Sequence, residues 1–495
     1  MINCHPDFER SARTSKGATL RIGDLADGMT RGVEGIAASV SETFMEPVVR
    51  LGVTGLSRAG KTVFITSLVS NLLDRGRMPQ LRAAASGAIV SAYLRPQPDN
   101  TVPRFDYEAH LAAMTGSEPH WPDSTRAVSE LRLSLKVRPG GLGSIFGAVT
   151  GPRTIHVDIV DYPGEWLLDL ALMDKDYAEW AADTLGRLDQ RPGSEGFVAA
   201  LGGADPGAPF DEATAQLLAA RFTEALNIAR EAGFSDCTPG RFLLPGEMAG
   251  SPVLTFAPLP VPGGSTPRGS LWREMERRYE AYKREVVKPF FRDHFSRIDR
   301  QVVLVDALGA IHAGPRAVED LRRAMTEILG AFRPGRNAWL TRFLMGKRVE
   351  KILFAATKAD HLHHSQHARL TSIMQALMKE ARRRADFAGA ETAAMAIAAL
   401  RATVEETREQ RGESYDCVRG TLMSTGRQTA LYPGELPEDP ALLLEPARDG
   451  AEDWLDGDYQ VMHFAPARLT LKPGEGPPHI RLDKAAEFLL GDRLR

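Results

Sequence analysis

Gly55-Leu56-Ser57-Arg58-Ala59-Gly60-Lys61-Thr62 reads G-x-x-x-x-G-K-T, and its flanks decide the fold. Before it, Val48 to Val53 is an apolar run of strand length; after it, Val63, Ile65, Leu68 and Leu72 recur at helical spacing. Strand, glycine loop and helix in that order form a P-loop, where backbone N–H groups and the positive helix end converge on phosphate oxygens. The glycines let the backbone turn inward with no side chain in the way. In such a loop Lys61 reaches the β- and γ-phosphates and Thr62 ligates Mg2+, while Gly55, Ser57, Arg58, Ala59, Gly60 and Val63 complete the phosphate wall. Arg58 is either a stabilising cation supplied in cis or an ordinary exposed arginine.

Outward from the loop, Leu131 to Val137 and Ile155 to Ile159 alternate as neighbouring strands do. Val302 to Val305, Ile352 to Ala356 and Met395 to Ala399 are short continuous apolar runs, suited to strands buried on both faces. These predict an α/β protein with a mostly parallel P-loop NTPase sheet flanked by helices, in two parts, 49–166 and 301–408. Between them, 167–300 reads as a mostly helical insertion, in which Asp211 caps a run through Ala232 and Gly/Pro-rich stretches fall at 202–209 and 258–269. Residues 1–48 form an N-terminal helical segment, with Leu25, Met29, Val33, Ile36, Val40 and Phe44 on one face, and 409–495 a C-terminal extension.

Three further motifs fall where apolar runs stop. Asp161-Tyr162-Pro163-Gly164 is a D-x-x-G, in which Asp161 can hold a magnesium water and the Gly164 N–H can meet the γ-phosphate. Glu165 follows where many GTPases carry a water-orienting glutamine; either it substitutes, or hydrolysis is slow. Thr357-Lys358-Ala359-Asp360 matches T-K-x-D, and a carboxylate at Asp360 accepts from the N1–H and N2 amino edge of guanine, a donor pair that adenine lacks. Lys358 lays its aliphatic stem over the base. Ala399 and Leu400 either present N–H groups to the guanine O6 or simply end a core strand. Thr125 is best placed to sense the γ-phosphate through Mg2+. The expected ligands are therefore GTP or GDP with Mg2+.

Composition bounds the remaining choices. A formal charge of -3 over 495 residues gives no electrostatic reason to expect nucleic acid as a partner, and the arginine-rich runs at 333–351 and 382–384 read as solvated faces. Cys4, Cys237 and Cys417 lie too far apart for a metal or redox motif and point to a reducing compartment, so the expectation is cytoplasmic. No stretch approaches the ~20 apolar residues a spanning helix needs. His361, His363, His364 and His367 include an i, i+4 pair, but with no carboxylate or cysteine nearby in sequence they read as a solvated loop and helix face.

The phrases GLSRAGKT, WPDSTR, DYPGEWLLDL, VLVDALGAIHAGP, TKADHL and ALRAT, in this order between residues 55 and about 403, resemble the YcjX family of bacterial P-loop proteins. The resemblance implies a Ras-like GTP-binding core with helical insertions, a cytoplasmic stress-associated role and a membrane protein as partner. It assigns the nucleotide roles to Gly55, Gly60, Lys61, Thr62, Thr125, Asp161, Gly164, Lys358 and Asp360. The first reading is a GTPase switch; an ATPase, or an interaction module that barely turns nucleotide over, are the alternatives.

Overall fold

The computed structural model describes residues 46–56, 58–123, 127–138, 151–263, 266–330, 349–379, 390–454, 459 and 462–495. Ser57, Thr125, nearly all of the expected N-terminal helix and most of the arginine-rich runs lie outside the described residues.

The apolar run before the glycine loop is strand β1 (Val48–Gly55), which lies inside a seven-stranded sheet of order β2-β3-β4-β1-β5-β6-β7. The others are β2 (Ile89–Arg95), β3 (Ser129–Val137), β4 (Arg153–Asp161), β5 (Arg300–Val305), β6 (Lys351–Ala356) and β7 (Glu391–Ala396). Strands β4, β1, β5, β6 and β7 are parallel, and β3 is antiparallel to both β2 and β4. Because side chains alternate along a strand, one set faces helix α1 (Lys61–Leu73) and a C-terminal helix: Val49, Leu51, Val53, Leu304 and Leu353. The other set, Val160, Val303, Val305 and Phe354, joins the core beneath the helical region. Burial on both faces is why β5 and β6 read as unbroken apolar runs.

The helical region begins at α2 (Gly164–Leu168), directly after β4, and continues through α3 (Tyr177–Leu185), α4 (Glu195–Gly202), α5 (Glu212–Glu231), α6 (Leu271–Tyr282) and α7 (Lys288–Asp293). Asp211 caps α5 by accepting from the Thr214 N–H at 2.8 Å. The centre of this region is aromatic: Trp180 stacks on Tyr279 with ring centroids 5.0 Å apart, and Phe222 and Phe256 meet Trp180 edge-on. Helices α8 (Ala307–His312) and α9 (Pro315–Gly330) follow β5, and α10 (His367–Leu377) lies between β6 and β7.

Two elements depart from the sequence reading. The run taken as Met395 to Ala399 starts earlier and leaves the sheet at Ala396, because Ala398 pairs instead with Ile480 from the C-terminal segment. Strand β2 carries no apolar alternation; it is an edge strand whose side chains are mostly half-exposed. Beyond β7, strands β8 (Val404–Gln410), β9 (Glu413–Thr421) and β10 (Gln428–Leu431) form a small antiparallel sheet. The Pro- and Gly-rich stretch after it contains α11 (Ala441–Arg448), and the chain ends in α12 (Leu482–Leu490), whose Leu482, Ala486 and Leu489 share the α1 core. The C-terminal extension thus packs on the sheet.

Candidate functional site

Strands β4, β1, β5, β6 and β7 all end at the same sheet edge, the side on which open parallel sheets bind ligands. There β1 passes into the glycine loop. Leu56 N–H donates to Leu304 O of β5 at 3.3 Å and Ala59 N–H to Leu56 O at 3.0 Å, which bends the chain back over the strand end. Arg58 and Gly60 both adopt left-handed backbone conformations, with φ of 60° and 79°. A non-glycine residue held there costs on the order of 1 kcal/mol, and such strain clusters where ligands bind. The first N–H groups of α1 have no intrahelical acceptor and no side chain caps them. A Cβ built on Gly60 would meet nothing within 4 Å among the described residues. Among the described residues, Lys61 makes no hydrogen bond or ion pair, and Thr62 occupies the first helical turn, largely buried.

The D-x-x-G turn lies against this loop. Register pairs Asp161 with Val53, and Tyr162 N–H donates to Val53 O, so the Asp161 carboxylate reaches the same edge as the loop. Gly164 comes so close that a Cβ there would stand 2.2 Å from Gly55 O; only glycine fits. Glu165 is buried rather than open to solvent, packed where Gly240 crosses: a Cβ on Gly240 would lie 2.5 Å from the Glu165 carbonyl carbon. Four residues on, Asp169 accepts from Gly240 N–H at 2.8 Å and from Tyr282 O–H at 2.5 Å. Burial pushes the Asp169 carboxyl up to about 7, opposed by those two donors and by the nearby Arg241 charge. The Arg241 guanidinium lies 3.3 Å over the Trp166 ring. Gly240, Arg241 and Tyr282 of the helical region thus pack on α2 and the residue after it.

On the far side, β6 ends in the T-K-x-D turn. Thr357 N–H donates to Val305 O at 2.9 Å, Lys358 is left-handed with φ of 60°, and its Nζ pairs with the Asp306 carboxylate. Asp306 also caps α8 through the Gly309 N–H at 2.9 Å. Asp360 is buried; its Oδ2 accepts from Ala402 N–H at 2.8 Å while Thr403 Oγ1 donates to its carbonyl. Residues 398–403 are held on the other side by Ala398 N–H to Ile480 O and Arg401 N–H to Pro478 O. Ala399 and Leu400 lie between these ties, and among the described residues their N–H groups have no acceptor. Asp306, Ala402 and Thr403 were missed as supports; an Asp at the end of an apolar run just before a helix was the available signal for the first.

The structure thus brings the glycine loop, Asp161, Gly164, Asp360 and the 398–403 loop to one edge, with β1 and β6 separated by β5, about 10 Å of sheet. Thr125 lies outside the described residues, but the segment leading to it is tied down by Trp121 Nε1–H donating to Phe464 O at 2.7 Å. The solvated-face reading of the histidines needs correction. His361 and His367 are buried, one edge-on to Phe464 and the other within 2.7 Å of Ala359 O, and a carboxylate, Glu405, does stand beside His363 and His364.

The chain is 39% identical over 463 residues to the protein of Escherichia coli (strain K12) named Ras-like GTPase YcjX, covering 90% of this chain and 96% of that one. It is 36% identical over 469 residues to the protein of the same name from Shewanella oneidensis, covering 90% and 94%. The family model described as YcjX-like family, DUF463, matches residues 49–494, from the second residue of β1 to beyond the end of α12, so this chain belongs to the YcjX-like family.

Proposed function

We propose that the chain binds GTP with Mg2+ at this edge, hydrolyses it, and uses the nucleotide state as a switch. One observation carries the reading: the glycine loop, the D-x-x-G turn and the T-K-x-D turn leave strands β1, β4 and β6 at a common edge, with Gly164 pressed against Gly55 O. The names of the relatives, Ras-like GTPase, point the same way. The loop N–H groups and Lys61 neutralise the phosphates; Thr62 and Asp161 are the oxygen donors for Mg2+, which would supply charge neutralisation at the β- and γ-phosphates. Asp360 accepts from the guanine edge, Lys358 and Asp306 shape the base pocket, and the Ala399 and Leu400 N–H groups meet O6. Thr125 and Gly164 sense the γ-phosphate.

Glu165 positions the attacking water in this scheme, from a buried place at the start of α2 whose backbone packs against Gly240. Through that packing, a change at the γ-phosphate would be communicated from α2 to the helical region. A cytoplasmic setting, a stress-related process and a membrane protein as partner complete the proposal through the family resemblance; among the described residues no helix is long and apolar enough to cross a membrane. The test is to purify the full chain, identify the co-purified nucleotide by mass spectrometry, and follow phosphate release over many turnovers with and without Mg2+. Guanine nucleotide and Mg2+-dependent release are expected, both lost in Lys61→Ala; adenine nucleotide, or unchanged binding in Lys61→Ala, would overturn the reading.

A further inference from the structure

We propose that His363, His364 and Glu405 form a binding site for a borderline divalent transition metal, zinc foremost, with Asp416 orienting His363. The site is separate from the phosphate edge and does not depend on which nucleotide binds there. His363 and His364 follow Asp360 within one turn, Glu405 is the second residue of β8, and Asp416 lies on β9. The two imidazole rings are 4.2 Å apart. Glu405 Oε2 stands 2.7 Å from His364 Nδ1 and 3.8 Å from His363 Nε2, and one donor atom from each of the three residues lies within 4.8 Å of the others. A tetrahedral zinc with ligands at about 2.0–2.1 Å separates its donors by roughly 3.3 Å, so small side-chain rotations close the site.

The surrounding groups favour metal over a simple ion pair. His363 Nδ1 lies 3.1 Å from Asp416 Oδ2 and 2.9 Å from Ser365 Oγ. With a metal on Nε2, the Nδ1–H would point to Asp416 Oδ2, the carboxylate–histidine order found behind zinc ligands. Arg401 sits 3.3 Å from Glu405 Oε1 and leaves Oε2 to the histidines. His363 is mostly buried while the His364 side chain is 68% exposed, which leaves the fourth position to water. Two imidazoles and one carboxylate suit zinc, cobalt, nickel or copper, and not the oxygen-only preference of Mg2+. Bound metal would fasten the turn carrying Asp360 to strands β8 and β9.

The experiment uses the full chain, stripped with chelator, dialysed, and kept in excess Mg2+ and GDP so that a metal among the phosphates is not counted. Titration with Co2+ is followed by visible absorption, and Zn2+ is then added as competitor. The expected result is one equivalent of Co2+ with intense low-coordinate bands, displaced by Zn2+ and absent in His363→Ala and in Glu405→Ala, each checked for folding by circular dichroism. Asp416→Asn keeps the bands but weakens Co2+ binding 10- to 100-fold. No Co2+ bands in the parent chain, or bands that survive His363→Ala/His364→Ala, would overturn the proposal and leave ordinary histidine–carboxylate contacts.

Discussion

Gly164 shows how far a single hydrogen atom can carry function. Its backbone approaches Gly55 O so closely that an added Cβ would lie 2.2 Å away, and the obstacle is backbone, which cannot swing aside. Gly164→Ala therefore pushes the D-x-x-G turn off the phosphate loop while leaving Lys61 and the loop itself in place. The expected outcome is a loss of roughly 100-fold in kcat for GTP hydrolysis, the scale of removing one transition-state donor, with GDP affinity nearly unchanged. Steady-state phosphate release and GDP titration check the two halves. Lys61, Thr62, Asp161, Gly164 and Asp360 were legible as candidates because each sits at a fixed offset from an apolar run. The partners that hold them were not: Ala402 N–H on Asp360 and Gly240 against Glu165 are contacts between residues 42 and 75 positions apart, which no local pattern records.

At the scale of elements, β3 and β4 carry a buried ion pair in the middle of the sheet. Register sets Arg132 opposite Asp158, and the guanidinium binds both carboxylate oxygens at 2.6 and 2.8 Å. Removing one partner strands the other charge in the interior, so Arg132→Met should destabilise the fold by about 3–5 kcal/mol in urea denaturation. Arg132→Met/Asp158→Leu should regain most of that loss. Strands β5 and β6 were readable because burial on both faces leaves unbroken apolar runs. Edge strand β2 and the small β8–β10 sheet escaped the reading because their side chains are largely exposed or half-exposed and carry no apolar period. The end of β7 was misjudged since Ala398 is apolar yet pairs with Ile480, eighty-two residues later.

At the scale of the whole molecule, Asp169, just after α2, ties the start of the helical region to Gly240 and Tyr282 within it. A carboxyl whose native pKa exceeds its unfolded value binds its proton more tightly in the fold. Its contribution is complete below about pH 4 and is lost as pH rises through about 7, ~4 kcal/mol for a shift from 3.8 to about 7. Asp169→Asn should accordingly flatten the decline of unfolding free energy between pH 4 and 8 relative to the parent chain; a pH profile with unchanged slope would show that Asp169 ionises freely in the fold. The cap at Asp211 was readable from the sequence, since an Asp stands directly before a helical run. That α12 returns to the α1 face was not, since an amphipathic helix does not declare which surface it covers.

The proposed nucleotide site requires Asp360 to stand beside guanine while the phosphates rest on the glycine loop. Replacing its carboxylate with an amide exchanges an acceptor for a donor, so titration of GDP and xanthosine diphosphate against the parent chain and Asp360→Asn tests that claim directly. The parent should bind GDP at least ~100-fold more tightly than xanthosine diphosphate, and Asp360→Asn should invert the order. An Asp360→Asn chain that still binds GDP as the parent does would contradict it.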